Sequence, residues 1–338
     1  MEITPFGGAA LLYTHIQNNG RIFFFFPGES SRSVSVTGSF CGWKIPGVGL
    51  QRVPGGWSAE VGPVSEGPVA YKFLVDGRWT ADPVNITREG DHDESNSLLP
   101  GRGRGTTLHL RFWSPALREE RRYTLYLPPS YGTQGRRFPT LYLLHGLLDW
   151  ERTWLDKGAL APTLDRMIHQ GMVGEMIVVM PYENGLLHRG DTRIADYLAR
   201  DLVGHIDHEF ATLPEQSARA LDGLSTGGFT SLIVGAWRPM VFRSVGSMSG
   251  SHDNRTFSTI RSCSGAMRNA GQRYLVSWGM DEPQPELFRA VHCTLTEAGL
   301  ESSWQEAPGA HDWPLWRSLL ATHLLHHERG WAQSTRGA

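Results

Sequence analysis

Through the first hundred residues the apolar positions come in short runs broken by glycine, proline and serine: Arg21 to Phe26, Ser33 to Thr37, Ala70 to Val75. Short bounded runs at this spacing predict the strands of an all-β sandwich. Asp76-Gly77 lies between Tyr71–Val75 and Arg78-Trp79. A two-residue type I′ turn needs positive φ at both central positions, which Asp-Gly tolerates, so a hairpin is expected there. The pattern ends at Pro100-Gly101-Arg102-Gly103-Arg104-Gly105, where three glycines in five residues disfavour helix and strand alike and predict a linker. Beyond it, Thr140 to Leu144 and Met176 to Met180 are continuous apolar runs, as expected of strands buried on both faces. Ile194, Leu198, Leu202, Ile206 and Phe210 recur every four residues and predict a helix with one apolar stripe. Gln272 to Trp278 reads as a late strand and Leu315 to His323 as a final helix. Strands alternating with helices imply an α/β fold with a mostly parallel sheet. The expected organisation is a β-sandwich over 1–100, a linker over 101–107, an α/β domain over 108–330 and a tail over 331–338.

Composition narrows the function classes. The 338 residues carry a formal net charge of -2 with no long run of one sign, so no nucleic-acid partner is expected. Cys41, Cys263 and Cys293 are far apart and form no CxxC pair, which argues against a disulfide framework and against a cysteine zinc site. No HExxH occurs, and neither metal nor cofactor is expected. The N-terminus lacks a basic segment leading into an apolar stretch, and Ile22 to Phe26 is too short to span a membrane. A cytoplasmic protein with no membrane partner is the expectation. The oligomeric state is not legible.

Against this background one constellation carries chemistry. Gly223-Leu224-Ser225-Thr226-Gly227 is a G-x-S-x-G motif between the apolar segment Ala218 to Leu221 and the helix-like stretch Phe229 to Ala236. Strand, tight turn and helix in that order are the setting of a nucleophile elbow, the signature of the α/β-hydrolase fold. Serine is a weak nucleophile without a base, and in this fold the acid and then the histidine follow it in sequence. Asp281, just beyond the strand ending at Trp278, and His311, before the final helix, are the expected partners. Glu282, the next residue, is the alternative acid. The backbone N–H groups of Thr226 and of Leu147, after the strand ending at His145-Gly146, are the expected oxyanion donors. His252 precedes the acid and stands in the wrong order to be the base; His145 is expected to shape the oxyanion loop. His326 and His327 read as solvent-facing helix residues.

Several segments together resemble a family of esterases that includes feruloyl esterases, enterochelin esterases, S-formylglutathione hydrolases and mycolyltransferases. They are Tyr123 to Tyr131 (YTLYLPPSY), Phe138 to Gly146 (FPTLYLLHG) with Trp154, the serine elbow, and His311 to Trp316 (HDWPLW). The resemblance implies an α/β hydrolase. The first domain resembles glycogen-binding modules related to isoamylase N-terminal domains, through Val36 to Trp43 (VTGSFCGW), Tyr71 to Trp79 (YKFLVDGRW) with Asp82-Pro83, and Asn96 to Leu98. That likeness implies an immunoglobulin-like sandwich in which Trp43, Lys72, Trp79 and Asn96 contact a glucan. An indole stacks on the C–H face of a sugar while a lysine and an amide supply hydrogen bonds.

The function expected is therefore serine carboxylic-ester hydrolysis through an acyl-enzyme, on a carbohydrate-linked or aromatic acyl ester. The alternatives are a siderophore trilactone, for which Arg189, Arg193 and Arg255 offer cations, acyl transfer to a sugar hydroxyl, and a non-catalytic glycan-binding protein.

Overall fold

A computed structural model describes residues 12–17, 19–64, 67–89, 95–101, 103–132 and 135–335, without the side chains of 332–335. The N-terminal strands are β1 His15–Ile16, β2 Ile22–Pro27, β3 Val34–Gly38, β4 Val48–Gly49, β5 Gln51–Val53, β6 Gly56–Val61, β7 Val69–Val75, β8 Arg78–Thr80 and β9 Ser97–Leu99. They form two antiparallel sheets, ordered β1-β2-β6-β5 and β4-β3-β7-β8, with β9 on β7. Alternate residues from both sheets meet in one apolar core that includes Ile22, Phe24, Val36, Trp57, Tyr71 and Phe73. The predicted hairpin is present: Val75 pairs with Arg78, and Asp76 and Gly77 both take positive φ, 49° and 80°. Asp82 is fully buried, accepting from the Tyr71 hydroxyl at 2.7 Å and from the Val84 and Asn85 backbone N–H groups. Its role is to close this sheet's loop.

The remaining strands are β10 Thr106–Ser114, β11 Glu119–Leu127, β12 Thr140–Leu144, β13 Ile177–Pro181, β14 Arg219–Gly223, β15 Ser244–Met248, β16 Arg273–Gly279 and β17 Glu301–Ala307. They lie in one sheet ordered β10-β11-β13-β12-β14-β15-β16-β17. The register from β13 through β17 is parallel throughout, and a four-residue connection joins the neighbours β10 and β11, so the sheet is mixed. The chain divides into two compact units, Met1–Leu110 with Leu125–Arg136, and Arg111–Thr124 with Arg137–Ala338.

The four-residue stripe is buried as expected: Ile194, Leu198, Leu202, Ile206 and Phe210 all lie in the core. Four α-helical residues advance about 40° past a full turn, so a stripe of period four drifts round a plain α-helix. Here the segment Tyr197–Leu202 widens to π-helical bonding between the α-helical pieces Ile194–Asp196 and Val203–Glu209. The extra residue per turn offsets that drift.

The final helix, Trp313–Thr335, runs well beyond the expected span, and His326 and His327 are buried, not solvent-facing. Leu319, His323, His327 and Trp331 are four apart and share its inner stripe. Polar identity alone points to solvent, but a histidine with a buried partner needs no water. In this parallel run β12 is flanked by β13 on one side and β14 on the other, so the chain reverses direction there. Such a switch point opens a crevice at the C-terminal strand ends. His145 follows β12 and Ser225 follows β14.

Candidate active site

Ser225 sits at φ 52°, ψ -118°, between β14 and the helix Thr226–Trp237. This is a strained conformation for a non-glycine residue, held by its surroundings. The Ser225 N–H donates to the Met248 carbonyl, and the Ser225 carbonyl accepts from Phe229 and Ser251. The flanking glycines are required by close approach. A Cβ at Gly223 would lie 2.6 Å from the Gly227 carbonyl carbon, and one at Gly227 would lie 2.4 Å from the His145 oxygen. The motif spacing is thus a packing demand, and it lifts the Ser225 side chain clear of the strand.

His311 Nε2 lies 3.0 Å from Ser225 Oγ, and His311 Nδ1 lies 2.9 Å from Glu282 Oε2. The expected serine and histidine are brought together. The carboxylate on the imidazole belongs to Glu282 and not to Asp281. The reason is the turn after β16. The Glu282 N–H donates to the Gly279 carbonyl, which places Met280 and Asp281 at the two outer corners. Both are exposed, and Glu282 returns inward, where its extra methylene reaches the ring. A second set of bonds, Met280 N–H to Ala307 and Asp281 N–H to Gly309, ties this turn to the loop carrying His311. Burial would raise the Glu282 carboxyl, but the bonds with His311 and Ser249 outweigh it and hold the group below the usual carboxylate range. Trp316 packs edge-on against His311 at 5.0 Å and donates its indole N–H to Ser249 Oγ.

The expected oxyanion segment borders the elbow. A Cβ at Gly146 would come within 3.4 Å of Ser225 Cβ. His145 Nε2 accepts from the Glu183 N–H, so its proton is on Nδ1, which donates to the Gly146 carbonyl at 2.7 Å. Burial lowers this imidazole's pKa and keeps it neutral. Because the Gly146 carbonyl points to His145, the Leu147 N–H of the same trans peptide points the other way. Thr226 begins the helix, where backbone N–H groups have no intrahelical partner. His252 is sealed between Ser247 and Thr256, and burial lowers its pKa to about 4, so it is a neutral structural ring.

A second acid–histidine group lies behind the elbow and was not anticipated. Asp222 Oδ2 accepts from His323 Nδ1 at 2.6 Å and His327 Nε2 at 2.8 Å. The outer ring nitrogens meet Ser277 Oγ at 2.7 Å and Ser244 Oγ at 2.8 Å. Burial would raise the Asp222 carboxyl, yet the two imidazoles hold it well below its usual range. The three side chains could in principle ligate a metal, but each nitrogen already faces the carboxylate at hydrogen-bond distance. The signal in the sequence was the spacing of His323 and His327, one turn apart on the stripe of Leu319.

Of the residues expected to meet a glucan, Lys72 and Trp79 share the outer face of the second N-terminal sheet, since Trp79 pairs with Leu74 two positions from Lys72. Ser97 pairs with Tyr71, so Asn96 stands opposite Lys72; its amide donates to Glu89. Trp79 is half exposed. Trp43 lies on the turn beyond β3 at φ 58°, its N–H donating to Gly38. The expected cations are engaged: Arg189 donates to Asn184, Arg193 pairs with Asp191, and Arg255 pairs with Asp253 and donates to the Leu187 carbonyl. No described helix is long and apolar enough to cross a membrane.

Residues 114–327 match the family model described as putative esterase, and residues 23–100 match that of the glycogen recognition site of AMP-activated protein kinase. An endo-1,4-β-xylanase/feruloyl esterase of Xylanibacter ruminicola is 29% identical over 222 residues, 58% of this chain and 30% of that protein. An uncharacterised protein, YbbA of Bacillus subtilis, is 28% identical over 146 residues, 39% of this chain and 57% of that one. The matches thus span about a third and somewhat over half of these relatives. A ferulic acid esterase of Anaeromyces mucronatus, solved with ferulic acid, is similar in structure with TM-score 0.58 and 20% identity, covering 75% of this chain and 96% of that one. The enterobactin esterase of Shigella flexneri gives TM-score 0.58 and 17% identity, covering 91% and 93%.

Proposed function

Since the chain belongs to the putative esterase family, we propose that it is a serine carboxylic-ester hydrolase with Ser225 as nucleophile, His311 as base and Glu282 as the orienting acid. The observation that carries the reading is the continuous chain Ser225 Oγ, His311 Nε2, His311 Nδ1, Glu282 Oε2, at 3.0 and 2.9 Å. Ser225 Oγ attacks the ester carbonyl carbon as His311 Nε2 takes its proton. The oxyanion is met by the N–H groups of Leu147 and Thr226. The tetrahedral adduct collapses as His311 returns the proton to the leaving alcohol, and water repeats the sequence on the acyl-enzyme. Glu282 keeps the Nδ1–H tautomer and stabilises the imidazolium.

The substrate we assign is an aromatic acyl ester on a carbohydrate. The likeness to the xylanase/feruloyl esterase supports the acyl half. The face bearing Lys72, Trp79 and Asn96 supports the sugar half, with residues 1–100 read as an immunoglobulin-like glycan-binding sandwich and 108–330 as the catalytic domain. The trilactone reading draws on cations, and two of the three are paired with carboxylates, Arg193 with Asp191 and Arg255 with Asp253, while Arg189 donates to the Asn184 amide. The test is hydrolysis of methyl ferulate, a feruloylated oligosaccharide, p-nitrophenyl acetate and a catechol trilactone by wild type and Ser225→Ala. Highest kcat/KM on the feruloylated sugar, abolished in the variant, is expected. A preference for the trilactone, or full activity in Ser225→Ala, overturns the reading.

A further inference from the structure

Asp222 lies three residues before Ser225, and its two oxygens face opposite tasks. Oδ1 accepts the backbone N–H of Gly223, the first residue of the elbow, at 2.7 Å. Oδ2 accepts both His323 and His327. Those rings come from the helix Trp313–Thr335, whose first turn follows His311 directly and packs Trp316 against it. Their outer nitrogens are fixed by Ser277 on β16, the strand leading to Glu282, and by Ser244 on β15. A carboxylate cannot donate, so both ring nitrogens facing it carry protons, and each serine can donate to the other nitrogen. Every polar group of the node thereby has a partner in a site without water access. A fully satisfied buried network of this kind specifies one arrangement of the segments it joins.

We propose that Asp222, His323 and His327 are positioning residues for the reaction: the node sets the C-terminal helix in register with the elbow, so that His311 meets Ser225. The three catalytic side chains come from three separate segments, and the node holds all three supports at once. This rests on the assignment of Ser225 and His311 above. A reacting group displaced by about 1 Å can lose on the order of a hundredfold in rate.

The experiment is to count active sites in one sample each of wild type, His323→Ala, His327→Ala, His323→Asn and His327→Gln by fluorophosphonate labelling, and to measure kcat on p-nitrophenyl acetate in an unlabelled sample of each, expressed per labelled site. Asn presents an N–H where His has Nδ1, and Gln one where His has Nε2, so these variants keep the donor to Asp222. The alanine variants are expected to fall at least about tenfold in kcat per labelled site, with KM within about twofold, and the Asn and Gln variants to recover most of it. If the alanine variants fail to fold, a smaller kcat shortfall, about threefold, is expected in Ser277→Ala and Ser244→Ala and is read in the same way. Variants that lose labelled sites but keep wild-type kcat per site would show a folding role alone and overturn the proposal. A wild type that takes up no label overturns the serine assignment and this proposal together.

Discussion

The same unit contains two acid–histidine–serine arrangements that differ little in bond lengths. In one, Glu282, His311 and Ser225 are linked at 2.9 and 3.0 Å. In the other, Asp222 serves two histidines, each of which meets a serine, giving His323 with Ser277 and His327 with Ser244 at 2.6 to 2.8 Å. By hydrogen-bond geometry alone the buried group is the better triad. What separates them is access and strain. The His311 side chain is 40% exposed, against 1% for His323. Ser225 stands on a strained turn at the head of a helix, whereas Ser244 and Ser277 lie within strands, where no substrate carbonyl can approach. A nucleophile needs room for the acyl carbon and donors for its oxyanion, and the proposed role of Ser225 rests on its place at the turn between strand and helix.

The largest test of this contrast is deletion of the serines. Ser225→Ala is expected to lose about 10⁴-fold or more in kcat on p-nitrophenyl acetate, while Ser244→Ala and Ser277→Ala stay within about tenfold. A comparable loss in all three would erase the distinction. Next in size is the choice between neighbouring acids. Glu282→Gln should lower kcat by about 10²- to 10⁴-fold, because the amide no longer favours the Nδ1–H tautomer, and Asp281→Asn should change it less than twofold. The reverse ranking would return the acid to Asp281.

Proton linkage gives a third measure, read as stability. His252 stays neutral in the folded chain down to about 4, while an unfolded histidine gains its proton near 6.5. A lowered histidine pKa means that the unfolded state binds more protons as pH falls. Stability is therefore lost between about 6.5 and about 4, on the order of 3 kcal/mol from this group. The slope of Tm against pH in that window should flatten in His252→Gln. Asp222 acts in the same direction over a lower window: its contribution is full above the ordinary carboxylate range and is lost as pH falls below it. The smallest effect belongs to the sheet face that bears Trp79. Trp79→Ala should weaken retention on a soluble glucan and leave methyl ferulate hydrolysis within about twofold of wild type.

Much of the molecule was written locally. The Asp76-Gly77 turn demands positive φ whatever surrounds it, and Gly223 and Gly227 mark an elbow because no side chain fits there. The buried strands β12 and β13 were legible as unbroken apolar runs, and Ser225 and His311 from motif and order. These signals are local in the sequence, although part of what bars a side chain at Gly223 and Gly227 is Leu144 and His145 on the neighbouring strand. The choice of Glu282 over Asp281 depends on which way a three-bond turn faces after β16, and period and composition are silent on that. The burial of His323 and His327 depends on Asp222, about a hundred residues away, being present to accept their protons. Sequence determined which segments could carry chemistry. Only the tertiary structure decided which carboxylate met which imidazole, because a buried charge is tolerated solely where its partner has been folded against it.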